Sequence, residues 1–223
     1  MGDVSMLFIV CVIPVILISV ALHEFAHAKM ADLAGDPTPR FYGRVTLNPL
    51  AHLDPLGTVM IVITVLSGFG IGWGKPVPVN PSRMKNPRWD HFASVAAGPL
   101  SNVLQATVYA VIARLMMATG VLAPQQLFDL SNPLSIILVM GVMINIGLAL
   151  FNMIPLGPLD GHWIVGAFLP ERQRIQWYAW NRNYGGILFL SLIILGQIFP
   201  NFDVIGMVFT PLYPRIFQFF FGF

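Results

Sequence analysis

Cys11 is the chain's single cysteine, so neither an internal disulfide nor a cysteine-ligated zinc site can form. Charge is also scarce. Asp, Glu, Lys and Arg make up 10% of the residues, against roughly 25% in ordinary soluble domains. The net charge of +2 is too small to point to nucleic acid, and the basic residues sit in short loops beside apolar segments. Internal repeats, low-complexity tracts and flexible domain linkers are missing. The N-terminus has only Asp3 as a charge and lacks both a basic n-region and a small-residue cleavage site, so it reads as a retained span and not a signal peptide. What the chain has in excess is apolar surface, 56% of its 223 residues, which places it in a membrane. That length allows one compact bundle of several spans and leaves no room for a second sizeable domain, so residues 1–223 are expected to form a single unit.

Inside the first apolar run lies His23-Glu24-Phe25-Ala26-His27. Two histidines four residues apart share one face of a helix, where both imidazoles can hold one Zn²⁺. The glutamate between them can serve as the base acting on water at the metal. Three ionisable groups in five residues at membrane depth are costly and call for a functional explanation. The blander alternatives are a chance match or a structural metal site at a helix end.

The remaining segments follow from the pattern of apolar runs. Val4 to about Met30 is the first span. Ala31–Pro55 is polar, rich in Pro and Gly, and carries Arg40, Arg44, His52 and Asp54. Leu56–Gly72 is apolar, interrupted by Gly68, Gly70 and Gly72, and at the short limit for crossing a bilayer. Trp73–His91 is a basic, Pro-rich loop, and Phe92–Thr119 and Leu134–Ile154 are good spans. In Pro170–Asn183, Arg172, Arg174 and Arg182 interleave with Trp177, Tyr178 and Trp180, as in an interfacial amphipathic stretch. Gly185–Phe199 and Val204–Phe221 are further apolar segments. The fold expected is an all-α polytopic membrane protein of about five to six transmembrane helices, its catalytic core at about 4–165 and C-terminal apolar helices at about 170–221.

Loop Lys and Arg concentrate in Trp73–His91 and Pro170–Asn183, whereas Gly120–Asn132 has none, so the first two are expected to face the cytoplasm. The N-terminus then lies outside, and Leu56–Gly72 has the wrong parity to cross. A short, glycine-broken apolar segment suits a re-entrant element that lines a cavity. Phe41-Tyr42-Gly43-Arg44-Val45-Thr46-Leu47 is rich in β-formers and is expected to offer a short β edge near the active site for an extended substrate.

A hydrolytic zinc usually takes three protein ligands and keeps one position for water. Asp160 fits as the third, since Pro155 and Pro158 interrupt the helix that ends at Ile154 and place Asp160 just beyond its cytoplasmic end. The alternative is that Asp160 merely caps a following helix beginning near Gly161.

HEFAH followed by Asn152-x-x-Pro155-x-x-Pro158-Leu159-Asp160-Gly161 resembles the site-2 proteases, zinc metalloproteases that cut their substrates within the membrane. Ala97-Gly98-Pro99-Leu100-Ser101-Asn102 is similar to that family's signature on the intervening helix. Gly43–Gly57 and Lys75–Asn80 are similar to its minimal bacterial and archaeal subgroup, which lacks PDZ and CBS domains. The resemblance spans about residues 15–165. It implies His23, His27 and Asp160 as ligands of one Zn²⁺ and Glu24 as the base that deprotonates the attacking water and later protonates the leaving amine. It also implies a transmembrane protein or peptide as substrate, cut in a signalling cascade or in the clearance of signal-peptide remnants, in a prokaryotic cell membrane with the active site toward the cytoplasm.

Around that core the residues leave alternatives open. Asn152 can hold an unwound substrate backbone or the tetrahedral oxygen, or make a plain interhelical hydrogen bond. Asn102, on a small-residue face, suits close packing on the HEFAH helix or a substrate contact. His52 can reach the metal as a fourth, resting-state ligand, or pin the turn that leads into Leu56–Gly72. His91 and His162 are placed in loops, with His162 facing solvent. A transporter also carries intramembrane His and Asp, but it would show pseudo-repeats and paired broken helices. A non-catalytic module that retains zinc is the other rival.

Overall fold

The computed structural model describes residues 6–68 and 70–222; the expectation for Asp3 and the N-terminal side of the membrane lies outside them. The described residues form an all-helical chain. Its helices are α1 (Met6–Leu33), α2 (Thr38–Phe41), α3 (Pro55–Ser67), α4 (Trp89–Ala118), α5 (Pro133–Asn152), α6 (Asp160–Phe168), α7 (Glu171–Trp180), α8 (Gly186–Ile198), α9 (Val204–Phe209) and α10 (Tyr213–Phe221).

Four segments among the described residues are long and apolar enough to cross a membrane: α1, α4, α5 and Val204–Phe221, which contains α9 and α10. This is fewer than the five to six expected from the apolar runs. The shortfall lies in α3, 13 residues and so about 20 Å long against roughly 30 Å of hydrocarbon, and in α8, whose 13 residues run back through the π-helical turn Asn181–Gly185 into the polar α7.

Helices α1, α4 and α5 pack together and carry the site. On α1 the buried residues Val12, Val15, Ser19 and His23 recur every three to four positions and so form one stripe. The facing stripe of α4 is Gly98, Asn102, Ala106, Ala110 and Ala113. These side chains are small, which lets backbones approach closely where lipid supplies no hydrophobic drive for association. On α5, Leu138, Val142, Asn145 and Ala149 complete the contact. The start of α5 follows from its sequence: Pro133 occupies the first turn and the Asn132 side chain accepts from Leu134 N. Past Asn152, Pro155 and Pro158 forbid a continuous helix, and the chain restarts at Asp160.

The stretch around α3 folds back on itself. Asp54 caps the helix by accepting from Gly57 N at 2.8 Å, and Gly68 ends it at φ +69°. The chain then returns along the helix it has just left. A Cβ on Gly72 would lie 2.2 Å from the Ile61 side chain, and one on Gly57 would lie 2.1 Å from the Trp73 carbonyl. A single antiparallel bridge between Leu53 and Gly74, and the bond from Lys75 N to His52 O (2.8 Å), close the base. Entry and exit therefore sit side by side.

The β edge expected at Phe41–Leu47 is not found, and no strand occurs among the described residues. Local hydrogen bonding overrides β-propensity here. Asp36 Oδ1 accepts from Thr38 N and Oγ1 in a turn just before α2, which has Pro37 as its N-cap and runs through Phe41 into a further turn. Arg44 is then drawn inward to the carbonyls of Ala51 and Lys75.

Candidate metal centre

Three side chains from two separated helices meet in the bundle. His23 and His27 lie one turn apart on α1, and Asp160 is the first residue of α6. His23 Nε2 is 3.0 Å from His27 Nε2, and Asp160 Oδ2 is 3.3 Å from the first and 3.4 Å from the second. A tetrahedral zinc with bonds of about 2.1 Å needs ligand atoms roughly 3.4 Å apart, close to the spacing found. His23 is buried, and the side chains of His27 and Asp160 are only 11% and 16% exposed. Asp160 Oδ2 is itself buried without a hydrogen-bond partner. A buried, unpaired carboxylate oxygen is costly unless a cation meets it, and two nitrogens with one oxygen form a donor set that zinc takes.

Each imidazole is oriented through its other nitrogen. His27 Nδ1 lies 2.9 Å from the Ser94 carbonyl, and His23 Nδ1 lies 2.6 Å from Asn102 Oδ1. Both acceptors lack a proton, so Nδ1 donates in each ring and Nε2 keeps its lone pair for the shared centre. Gly98 leaves the space: a Cβ there would stand 2.3 Å from His27 Nε2 and 2.8 Å from His23 Cε1. Glu24, between the histidines, is half-buried beside the returning segment, where a Cβ on Gly74 would stand 3.3 Å from its Oε1. Arg44 is buried on the carbonyls of Ala51 and Lys75, and burial lowers its guanidinium pKa, a shift the Glu24 charge partly offsets.

The other sequence candidates fall elsewhere. His52 is not one of the group whose ligand atoms lie within 4.8 Å of one another. Its ring is fully buried with Nε2 on the Thr46 carbonyl at 2.8 Å, so it joins the loop to the base of the returning segment. Asn152 ends α5 with Nδ2 on Leu148 O of its own helix. Asp160 is not a side-chain cap: Leu159 is the N-cap of α6, and it makes no capping bond.

His162 is corrected from solvent-facing to buried. Its Nδ1 bonds the Leu159 carbonyl and its ring packs against Trp163 and Tyr178, and burial pushes its imidazole below the ordinary range. His91 belongs to the first turn of α4, with its ring 5.1 Å from that of Trp163. Trp177 is more than an interfacial residue, since its Nε1 donates to His162 O and braces α6. Sequence reasoning missed Asn145, Ser19 and the Ser94 carbonyl. The 3–4 spacing that puts Ser19 in line with His23 is the one signal that could have found any of them.

Comparison with known proteins finds relatives named as zinc metalloproteases. The chain is 37% identical over 179 residues to a Bacillus subtilis (strain 168) protein named putative zinc metalloprotease YwhC, covering 80% of this chain and 78% of that protein. Two mycobacterial proteins named putative zinc metalloprotease Rip2 are also similar. That of Mycobacterium tuberculosis (strain H37Rv) is 32% identical over 166 residues, covering 71% of this chain and 57% of the relative. That of Mycolicibacterium smegmatis is 25% identical over 183 residues, covering 80% and 64%. No family model matches the chain, and no solved structure matches it significantly. Two histidines and one aspartate that could hold a metal ion, among helices apolar and long enough to cross a membrane, fit the class of membrane metalloproteins. Within that class, the chain belongs to the site-2 protease family of zinc metalloproteases.

Proposed function

We propose that this protein is an intramembrane zinc metalloprotease that hydrolyses peptide bonds within or near transmembrane segments of membrane proteins. The observation that carries the reading is the His23–His27–Asp160 group, spaced for one tetrahedral ion and set between helices long enough to span a bilayer. Zinc held there supplies a Lewis acid and brings the pKa of water toward neutrality. Glu24 takes a proton from the attacking water and returns it to the leaving amine. Asn102 and the Ser94 carbonyl keep the two imidazoles aimed, and the apolar walls limit the access of bulk water.

A substrate helix hides its scissile carbonyls in i→i−4 bonds, so it must unwind before attack. In this reading α3 and its return form a re-entrant element. Its 13-residue helix and the adjacent entry and exit support that, and Gly74 brings the returning backbone to Glu24. Asn152, at the end of α5, gives Nδ2 to Leu148 O and would meet an unwound substrate through Oδ1. The basic residues of Trp73–His91 and of Pro170–Asn183, the latter largely helix α7, support a site on the cytoplasmic side of a prokaryotic cell membrane. The biological task is the release of a signalling protein or the removal of signal-peptide remnants.

The test uses the purified protein in detergent with a single-span substrate. Glu24→Gln should lower cleavage by about 10²-fold or more while zinc stays at one per chain. Substantial residual turnover, or zinc lost with Glu24, would sink the assignment. Asp160→Ala should lower zinc content, and an unchanged stoichiometry would require another third ligand.

A further inference from the structure

A chain of hydrogen bonds leads away from His23 and ends on backbone carbonyls. His23 Nδ1 meets Asn102 Oδ1 at 2.6 Å, and Asn102 Nδ2 donates to Asn145 Oδ1 at 2.8 Å. Asn145 Nδ2 donates to Ser19 Oγ and to the Gly141 carbonyl, both at 2.9 Å. Ser19 Oγ in turn donates to the Val15 carbonyl at 2.7 Å. Ser19, Asn102 and Asn145 have no exposed surface, so water cannot substitute for any partner.

A side-chain amide can turn over and exchange donor for acceptor, whereas a backbone carbonyl only accepts. Gly141 O therefore demands the NH₂ end of Asn145. Ser19 Oγ, its hydrogen committed to Val15 O, demands the same. Asn145 is left presenting Oδ1 to Asn102, which must answer with its own NH₂ and present Oδ1 to His23. Nδ1 of His23 then carries the hydrogen and Nε2 is bare. Turning Asn102 over would set two oxygens against each other at Asn145. It would also move the imidazole hydrogen to Nε2, where it blocks a cation. The Ser19 carbonyl favours the same orientation of Asn102, but at 3.4 Å it lies at the limit of hydrogen-bond reach.

We propose that Asn145 is a positioning residue of the metal centre, and that the Gly141 and Val15 carbonyls, acting through Asn145 and Asn102, fix the tautomer in which His23 offers Nε2 to zinc. This rests on reading the group as a zinc site. His27 reaches the same state in one step, through the Ser94 carbonyl. A bond that served only to join helices would hold α1, α4 and α5 together without acting on zinc through Asn102.

The experiment measures zinc affinity by chelator competition, and the melting temperature of the metal-free protein, for the wild type, Asn145→Leu, Asn102→Leu and the double variant in detergent. Asn145→Leu should weaken zinc binding about tenfold, the low end of the range for groups that orient a ligand. Asn102→Leu should weaken it further, and the double variant should bind no worse than Asn102→Leu alone. Wild-type affinity in Asn145→Leu, or effects that add in full, would overturn the relay even if stability falls. Asn145→Ser, too short to reach Asn102, stands in if the leucine variant does not fold, and the same tenfold loss is expected. A wild type that binds no zinc would instead overturn the reading of the site, and the relay with it.

Discussion

At the scale of the residue, Gly98 carries a sharp demand. It faces both imidazoles at a distance where even a methyl group overlaps a ring. Gly98→Ala should therefore push α4 off α1 or turn the histidines away, with zinc affinity falling by about 100-fold, the upper end of the range for changes around a ligand. Metal analysis after dialysis against a weak chelator reads this directly, and full retention of zinc would show that α4 has slack the structure does not suggest. The candidate ligands were legible because HEFAH has a fixed helical spacing, and because the proline-broken stretch before Asp160 matches a family motif. Asn102 was legible only as a position. Its partner Asn145 was not, since an asparagine in an apolar helix looks the same whether it serves the metal or joins two helices.

At the scale of the element, loops decide the geometry around Glu24. Asp36 is fully buried and ties two of them: Oδ1 takes Thr38 N and Oγ1, and Oδ2 takes Asn80 N at 2.6 Å. Burial works against the charged form, but these bonds and the nearby Arg83 outweigh it and set the carboxyl below its ordinary value. A depressed folded pKa stabilises above the unfolded value of about 3.9, and that contribution disappears as pH falls through the folded pKa. Asp36→Asn should thus lose about 2 kcal/mol of stability at neutral pH. The gap to wild type should narrow only below about pH 4. Thermal melts in detergent at pH 7, 5 and 3.5 check this, and a gap that closes already at pH 6 would assign the effect to another group. The same loops explain why the β-rich run at Phe41–Leu47 misled: the turn held by Asp36 and the inward pull on Arg44 outweigh a propensity that stands alone.

At the scale of the whole molecule, the C-terminal helices are fastened to the catalytic bundle at few points. Arg114 of α4 donates from Nε to Phe220 O (2.7 Å) and from Nη2 to Phe219 O (2.9 Å), on carbonyls that the end of α10 leaves free. Phe220 and Phe221 pack with Leu122, Leu127 and Val142. Arg114→Met should loosen α10, seen as faster hydrogen exchange over residues 213–221, while zinc binding stays at the wild-type level because α1, α4, α5 and α6 carry the site. Loss of zinc in this variant would mean that the C-terminal helices support the centre.

What the sequence determined by itself is what local spacing and composition can encode: the apolar helices, the four-residue interval that aligns His23 with His27, and the prolines that end one helix just before Asp160. The tertiary structure alone decided that Asp160 closes on both imidazoles, that Gly98 leaves them room and that Asn145 lies in line with His23. It also decided that the chain after α3 returns along that helix and that His52 binds the Thr46 carbonyl. The physical reason is that each of these depends on which faces of separate helices meet. Close packing and the pairing of buried polar groups fix that choice, and both are properties of the assembled bundle that no window of residues contains.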